Sequence, residues 1–208
     1  MVFALSILGM TLLSGCVSTL FESPPSETVS SCDAHWVGTW EAHPADKKTE
    51  TDDKIVLSIG PDCKTLGYTE NGKAQHDLDG AVLVFAQVKD DKIAALKSNI
   101  DKIDATAKSG PWEIGYHYFS YTETDNEIRL RQVDDDRVAR LIVDNKLQGR
   151  TEKISRSPGP HQTPEAGSLH NFVAGTAQEM THAIETYPLF SDKGGIIFKR
   201  IPADPVAK

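Results

Sequence analysis

Short segments of alternating residues, cut at intervals by turn signals, leave this chain few ways to fold. Residues 35–42 (HWVGTWEA), 54–60 (KIVLSIG), 64–70 (KTLGYTE) and 81–88 (AVLVFAQV) each read as a strand. So do residues 112–122 (WEIGYHYFSYT), 127–132 (EIRLRQ), 169–174 and 195–201. Gly60-Pro61-Asp62, Asn71-Gly72 and Asp125-Asn126 supply the turns, and Asn-Gly is a strong hairpin signal. Two helices interrupt the pattern late in the chain. Asp134 to Asp136 lead Val138, Leu141 and Ile142 with Gly149 beyond, and Thr176-Ala177-Gln178-Glu179 forms a capping box before Met180 and Ile184. Residues 92–108 fit two descriptions. Ile93, Leu96, Ile100 and Ile103 keep helical spacing, while Asp90-Asp91 equally suits a hairpin turn into a short strand from residue 92. The expected fold is mainly β with two or three short helices: an antiparallel β-barrel or a strongly curved meander sheet.

The chain has 208 residues, suited to one domain, with 39% hydrophobic and 25% charged residues, as expected of a folded body. Thirty acids against 22 bases give a formal charge of −8, which repels phosphate backbones and argues against nucleic acid as a partner.

The first residues point to export. Met1 to Leu13 is apolar apart from Ser6 and Thr11, too short to span a bilayer and suited to the core of a signal peptide. It closes with Leu13-Ser14-Gly15-Cys16, which resembles the lipobox of Gram-negative bacterial lipoproteins. That resemblance implies a signal peptide over residues 1–15, cleavage before Cys16, and a diacylglyceryl group on the Cys16 thiol. It also implies the membrane as a partner through that anchor, and Val17-Ser18 in place of an aspartate favours the outer membrane, facing the periplasm. Residues 16–31 then read as the lipidated cysteine and a flexible tether stiffened by Pro24-Pro25, reaching roughly 20 to 45 Å. A single β-rich domain is expected over residues 32–208.

With Cys16 assigned to lipid, Cys32 and Cys63 remain as a pair in an oxidising compartment, where a structural disulfide is the default reading. It is expected to pin the first strand to the second hairpin.

Gly38-Thr39-Trp40 resembles the Gly-x-Trp motif of lipocalin-like barrels. There the tryptophan closes the barrel floor and an arginine of the last strand packs over it, a part Arg200 is placed to take. On the aromatic strand, Trp112, Ile114, Tyr116, Tyr118 and Ser120 share one face, and Glu113, His117, Phe119 and Tyr121 the other. One face offers either barrel core or the wall of an apolar ligand cavity, with Trp40, Trp112, Tyr116, Tyr118 and Arg200 as candidate lining residues.

Catalytic signatures are absent: the sequence holds no G-x-S-x-G, no Walker-type glycine loop and no H-E-x-x-H. The seven histidines are scattered, and only His182 and Glu185 form a helical i,i+3 pair, which reads as a solvated face. No catalytic residue, cofactor or metal site is assigned. The leading expectation is a non-enzymatic, membrane-anchored, periplasm-facing module that binds a protein partner or supports envelope integrity. The second is a lipocalin-like carrier or sensor of a small apolar ligand, with a cavity of a few hundred cubic ångströms. A hydrolase whose groups converge only in three dimensions is the third.

Overall fold

In the computed structural model, the described residues are 19–26, 28–30, 32–45, 54–75, 81–97, 115–154 and 168–202. The expected signal segment, Cys16 and Trp112 lie outside them. The alternating segments form strands, and the first two are β1 (Thr19–Phe21) and β2 (Thr28–Ser30). A short 3-10 turn over Ala34–Trp36 precedes β3 (Gly38–Pro44), β4 (Ile55–Ile59), β5 (Leu66–Glu70) and β6 (Lys73–Gln75). Then come β7 (Val82–Val88), β8 (Asp91–Lys97), β9 (Tyr116–Thr124) and β10 (Glu127–Gln132). Helix α1 (Asp135–Val143), β11 (Gly149–Ile154), β12 (Ser168–Val173), α2 (Ala177–Thr186) and β13 (Ile196–Arg200) complete the order.

The hairpin reading of Asp90-Asp91 wins over the helical one. Lys89 takes a left-handed φ of 51° at the turn, and β7 pairs with β8 over its whole length, from Val82↔Lys97 to Val88↔Asp91. Residues 98–114, where the rest of the helical pattern falls, lie outside the described set. Asp134 caps α1 by accepting a hydrogen bond from the Arg137 N–H, and Thr176 with Glu179 closes the reciprocal box at α2. Each cap satisfies donors that the first helical turn leaves over and contributes about 1 kcal/mol.

The strands belong to one mixed sheet, antiparallel except where β1 runs parallel to β12. Its main path runs β6-β5-β4-β3-β13-β10-β9-β8-β7-β2, and β1, β12 and β11 branch from the start of β9 at the pair Phe21↔Tyr116. The sheet curves until its ends approach, and the Leu83 N–H donates to the Cys63 carbonyl at 3.4 Å. No ladder closes it: among the described residues β6 and β2 do not pair, so the molecule is a curved sheet rather than a closed barrel.

Two features of the expected organisation are corrected. Within the tether assigned to residues 16–31, Thr19–Phe21 and Thr28–Ser30 are strands. Phe21 is fully buried and stacks on Tyr118 with ring centroids 4.0 Å apart, and the Tyr118 hydroxyl donates to the Ser23 carbonyl. Thr19-Leu20-Phe21 carries two large apolar side chains beside a β-branched residue, a strand signal hidden by the polar run that follows. The strand expected from residue 35 begins at Gly38, as β3. Asp33 caps the 3-10 turn instead, its side chain accepting from the His35 N–H at 3.0 Å.

The curved sheet has two apolar layers because β9 is covered on both faces. Outside, Tyr118 joins Ile93, Val88 and Phe21 under α1 and α2, through Val138, Met180 and Ile184. Inside, Tyr121 and Phe119 join Trp36, Phe85, Leu130 and Phe198. Cys32 and Cys63 are disulfide-bonded with Cα atoms 5.2 Å apart. The bridge reaches the β4–β5 hairpin as expected, but from the segment ahead of the 3-10 turn instead of from the first strand.

Candidate functional site

The concave side of the sheet is hollow. Alternation turns Ala42 of β3, Leu57 of β4, Leu66 and Tyr68 of β5, Leu96 of β8, Phe119 of β9, Leu130 of β10 and Phe198 of β13 inward, around a cavity of about 120 Å³. Ala42, Leu57, Leu66, Leu96 and Phe119 face inward and are only partly buried, because no side chain from the opposite wall fills the space before them. The volume is below the few hundred cubic ångströms expected for a lipocalin-like carrier. It is comparable with the roughly 150 Å³ apolar cavity that takes up a single benzene ring.

One end of this cavity is plugged. Trp40 is fully buried and donates its indole N–H to the Trp36 carbonyl at 2.8 Å. The Arg200 guanidinium lies over the Trp40 ring, 4.1 Å from its centroid. Trp36 packs edge-on against Tyr121 and Phe85, with centroids 5.1 and 5.2 Å away. The contact expected between the Gly-x-Trp tryptophan and an arginine of the last strand is thus present.

Polar groups gather toward the other end of the same strands, where the register places Ile196 opposite Pro44 rather than Arg200 opposite Trp40. His43, Gln132 and His117 line the cavity there. Burial pushes the His117 imidazole down to about 4, and its hydrogen bond with the Thr19 backbone only partly opposes this. His117 is therefore neutral at physiological pH, and its Nδ1 is buried with no hydrogen-bond partner.

The candidate lining residues are sorted by this geometry. Tyr116 and Tyr118 belong to the face of β9 covered by the helices, so they wall the outer core and not the cavity. Trp40 and Arg200 form the plug. His117 and Phe119, on the opposite face of β9, are the wall residues that sequence reasoning passed over. Alternation had already separated the two faces; which of them meets helices depends on where α1 and α2 dock.

A scan against models of known protein families, and searches of curated proteins and of solved structures, found nothing that matches this chain.

Proposed function

We propose that the chain binds a small, mainly apolar molecule inside the curved sheet, as the folded part of a lipoprotein anchored in the cell envelope through acylated Cys16. The observation that carries this reading is the hollow interior. Apolar side chains from strands around the whole curve face about 120 Å³ of space, and His43, Gln132 and His117 supply polar contacts at one end. Its size suits a single ring or a short acyl chain bearing one polar group. A protein-docking role has less support, because Val143 is the one large hydrophobic side chain exposed among the described residues.

The anchor then sits close to the fold. Only Val17 and Ser18 separate Cys16 from β1, a span of roughly 10 Å for extended chain, so the domain is held at the lipid surface instead of on a long leash.

Two measurements test the two halves of the proposal. Native mass spectrometry of protein taken from envelopes is expected to show a co-purifying apolar molecule, and a naphthalene-type fluorophore to bind and be displaced by short alcohols. Ala42→Phe, which fills the cavity, is expected to abolish both while leaving the fold intact. Equal uptake by that variant, or no uptake by the parent, sinks the cavity reading. For the anchor, labelled palmitate is expected to enter the parent chain and not Cys16→Ser; no label in the parent removes it.

A further inference from the structure

On the outer side of the plug, Asp33, His35 and Glu123 bring one carboxylate, one imidazole and a second carboxylate together, with one ligand atom of each within 4.8 Å of the others. We propose that these three side chains form a binding site for a divalent cation of the zinc class. The inference is independent of what the cavity holds.

Two of the three separations suit such an ion, and the third is at most 4.8 Å. His35 Nδ1 lies 3.1 Å from Asp33 Oδ1 and 3.6 Å from Glu123 Oε1. A tetrahedral zinc ion with bonds of about 2.0 Å holds its ligand atoms roughly 3.3 Å apart, between those two values. One nitrogen with two carboxylate oxygens is a donor set for zinc and its first-row neighbours, whereas calcium and magnesium take oxygen alone. A water completes the fourth position.

A second observation concerns Glu123 itself. Its side chain is only 8% exposed, yet it lines the polar hollow formed with His35, Lys92 and Tyr121, and its Oε2 is buried without a hydrogen-bond partner. A buried carboxylate oxygen left unsatisfied is costly, and an ion held by both oxygens of Glu123 relieves that cost. Lys92 donates to Oε1, the same oxygen that lies 3.6 Å from His35 Nδ1, so its ammonium competes with an ion there.

The other ligands are held for the purpose. Asp33 accepts from the His35 backbone N–H and from the Tyr121 hydroxyl, both at 3.0 Å, which fixes its carboxylate on the turn. His35 keeps 54% of its side chain exposed, open to an arriving ion. Its carbonyl accepts from Arg200 at 2.8 Å, and Cys32 next to Asp33 is fixed by the disulfide. Two ligands therefore stand on a turn immobilised from both sides, and the third on β9, so a bound ion fastens the turn to the sheet and stabilises the folded state by linkage.

The test uses the full chain carrying Cys16→Ser, which removes the thiol outside the disulfide. Zinc is titrated by calorimetry and cobalt by its visible absorption. One equivalent is expected, with the tetrahedral cobalt spectrum and a raised Tm. His35→Ala, at an exposed position that leaves the fold alone, and Glu123→Gln are each expected to weaken binding by about tenfold or more. Lys92→Met, which removes the competing ammonium, is expected to tighten it. No binding by the parent, an affinity unchanged in His35→Ala, or an affinity not raised in Lys92→Met overturns the proposal.

Discussion

Arg200 stacks its guanidinium on the fully buried ring of Trp40 and at the same time donates to the carbonyls of Val37 and His35, both at 2.8 Å, and of Asp125 at 2.9 Å. The planar fork of an arginine can meet three carbonyls and one ring at once; a lysine cannot. Arg200→Lys is expected to destabilise the fold by about 2–3 kcal/mol in urea titrations, since at least one carbonyl at the plug loses its donor. Gly38 is part of the same arrangement. It sits at φ +135°, and a Cβ there falls 2.6 Å from the Arg200 Nη1. Gly38→Ala is expected to cost about 1–3 kcal/mol. Because both changes act on one contact, the double variant should lose less than the sum; strict additivity contradicts the coupling.

His117 makes stability depend on pH in a defined window. Its folded value near 4 lies below the ordinary 6.5, so the unfolded chain takes up a proton between those values and the folded chain does not. Stability is complete above about pH 6.5, falls as pH drops toward 4, and levels off below; the full effect is about 3 kcal/mol. Denaturation midpoints across that range should show the loss, and His117→Gln should remove most of it. A slope unchanged in the variant assigns the effect to other groups.

The Cys32–Cys63 bridge spans 31 positions of sequence. Closing a loop of that size restricts the unfolded chain by about 3–4 kcal/mol. The Cys32→Ser and Cys63→Ser variants, and the reduced parent, are expected to lose similar amounts in denaturant titrations. A loss confined to the reduced parent would point away from loop closure.

Phe21 is expected to behave as a core residue despite its place near the start of the chain. Phe21→Ala removes a fully buried ring stacked on Tyr118 and should cost about 3–5 kcal/mol. A chain truncated to begin at Cys32 loses β1 from between β9 and β12 and should show weakened cooperativity in thermal melts. Wild-type melting of that truncation would restore the tether reading.

Most of the strands could be read directly, because alternation and turn chemistry are local. The hairpin at Asn71-Gly72, the β9–β10 hairpin and the capping box at Thr176 stand where the residues indicated. Segment 91–97 was ambiguous because Ile93 and Leu96 satisfy both helical and strand spacing, and pairing with β7 on one edge and β9 on the other decided it. β1 and β11 escaped notice for a related reason: each is short and gains its stability from neighbours distant in sequence, such as Asn171 opposite both Thr19 and Thr151. The cation cluster was invisible for the same cause, since Asp33 and Glu123 meet only when the 3-10 turn is laid against β9.

The sequence by itself determined which residues share a strand face and where the hairpins turn, because these follow from backbone periodicity and turn chemistry. The lipobox resemblance left Cys32 and Cys63 as a pair, and the Gly-x-Trp resemblance put Arg200 with Trp40. Tertiary structure alone decided which face of β9 looks into the cavity, that the curved sheet stays open, and that the interior is hollow. A period of two separates the faces of a strand but gives them no direction; the docking of α1 and α2 on the Tyr118 face supplies it, leaving His117 and Phe119 to line the space within.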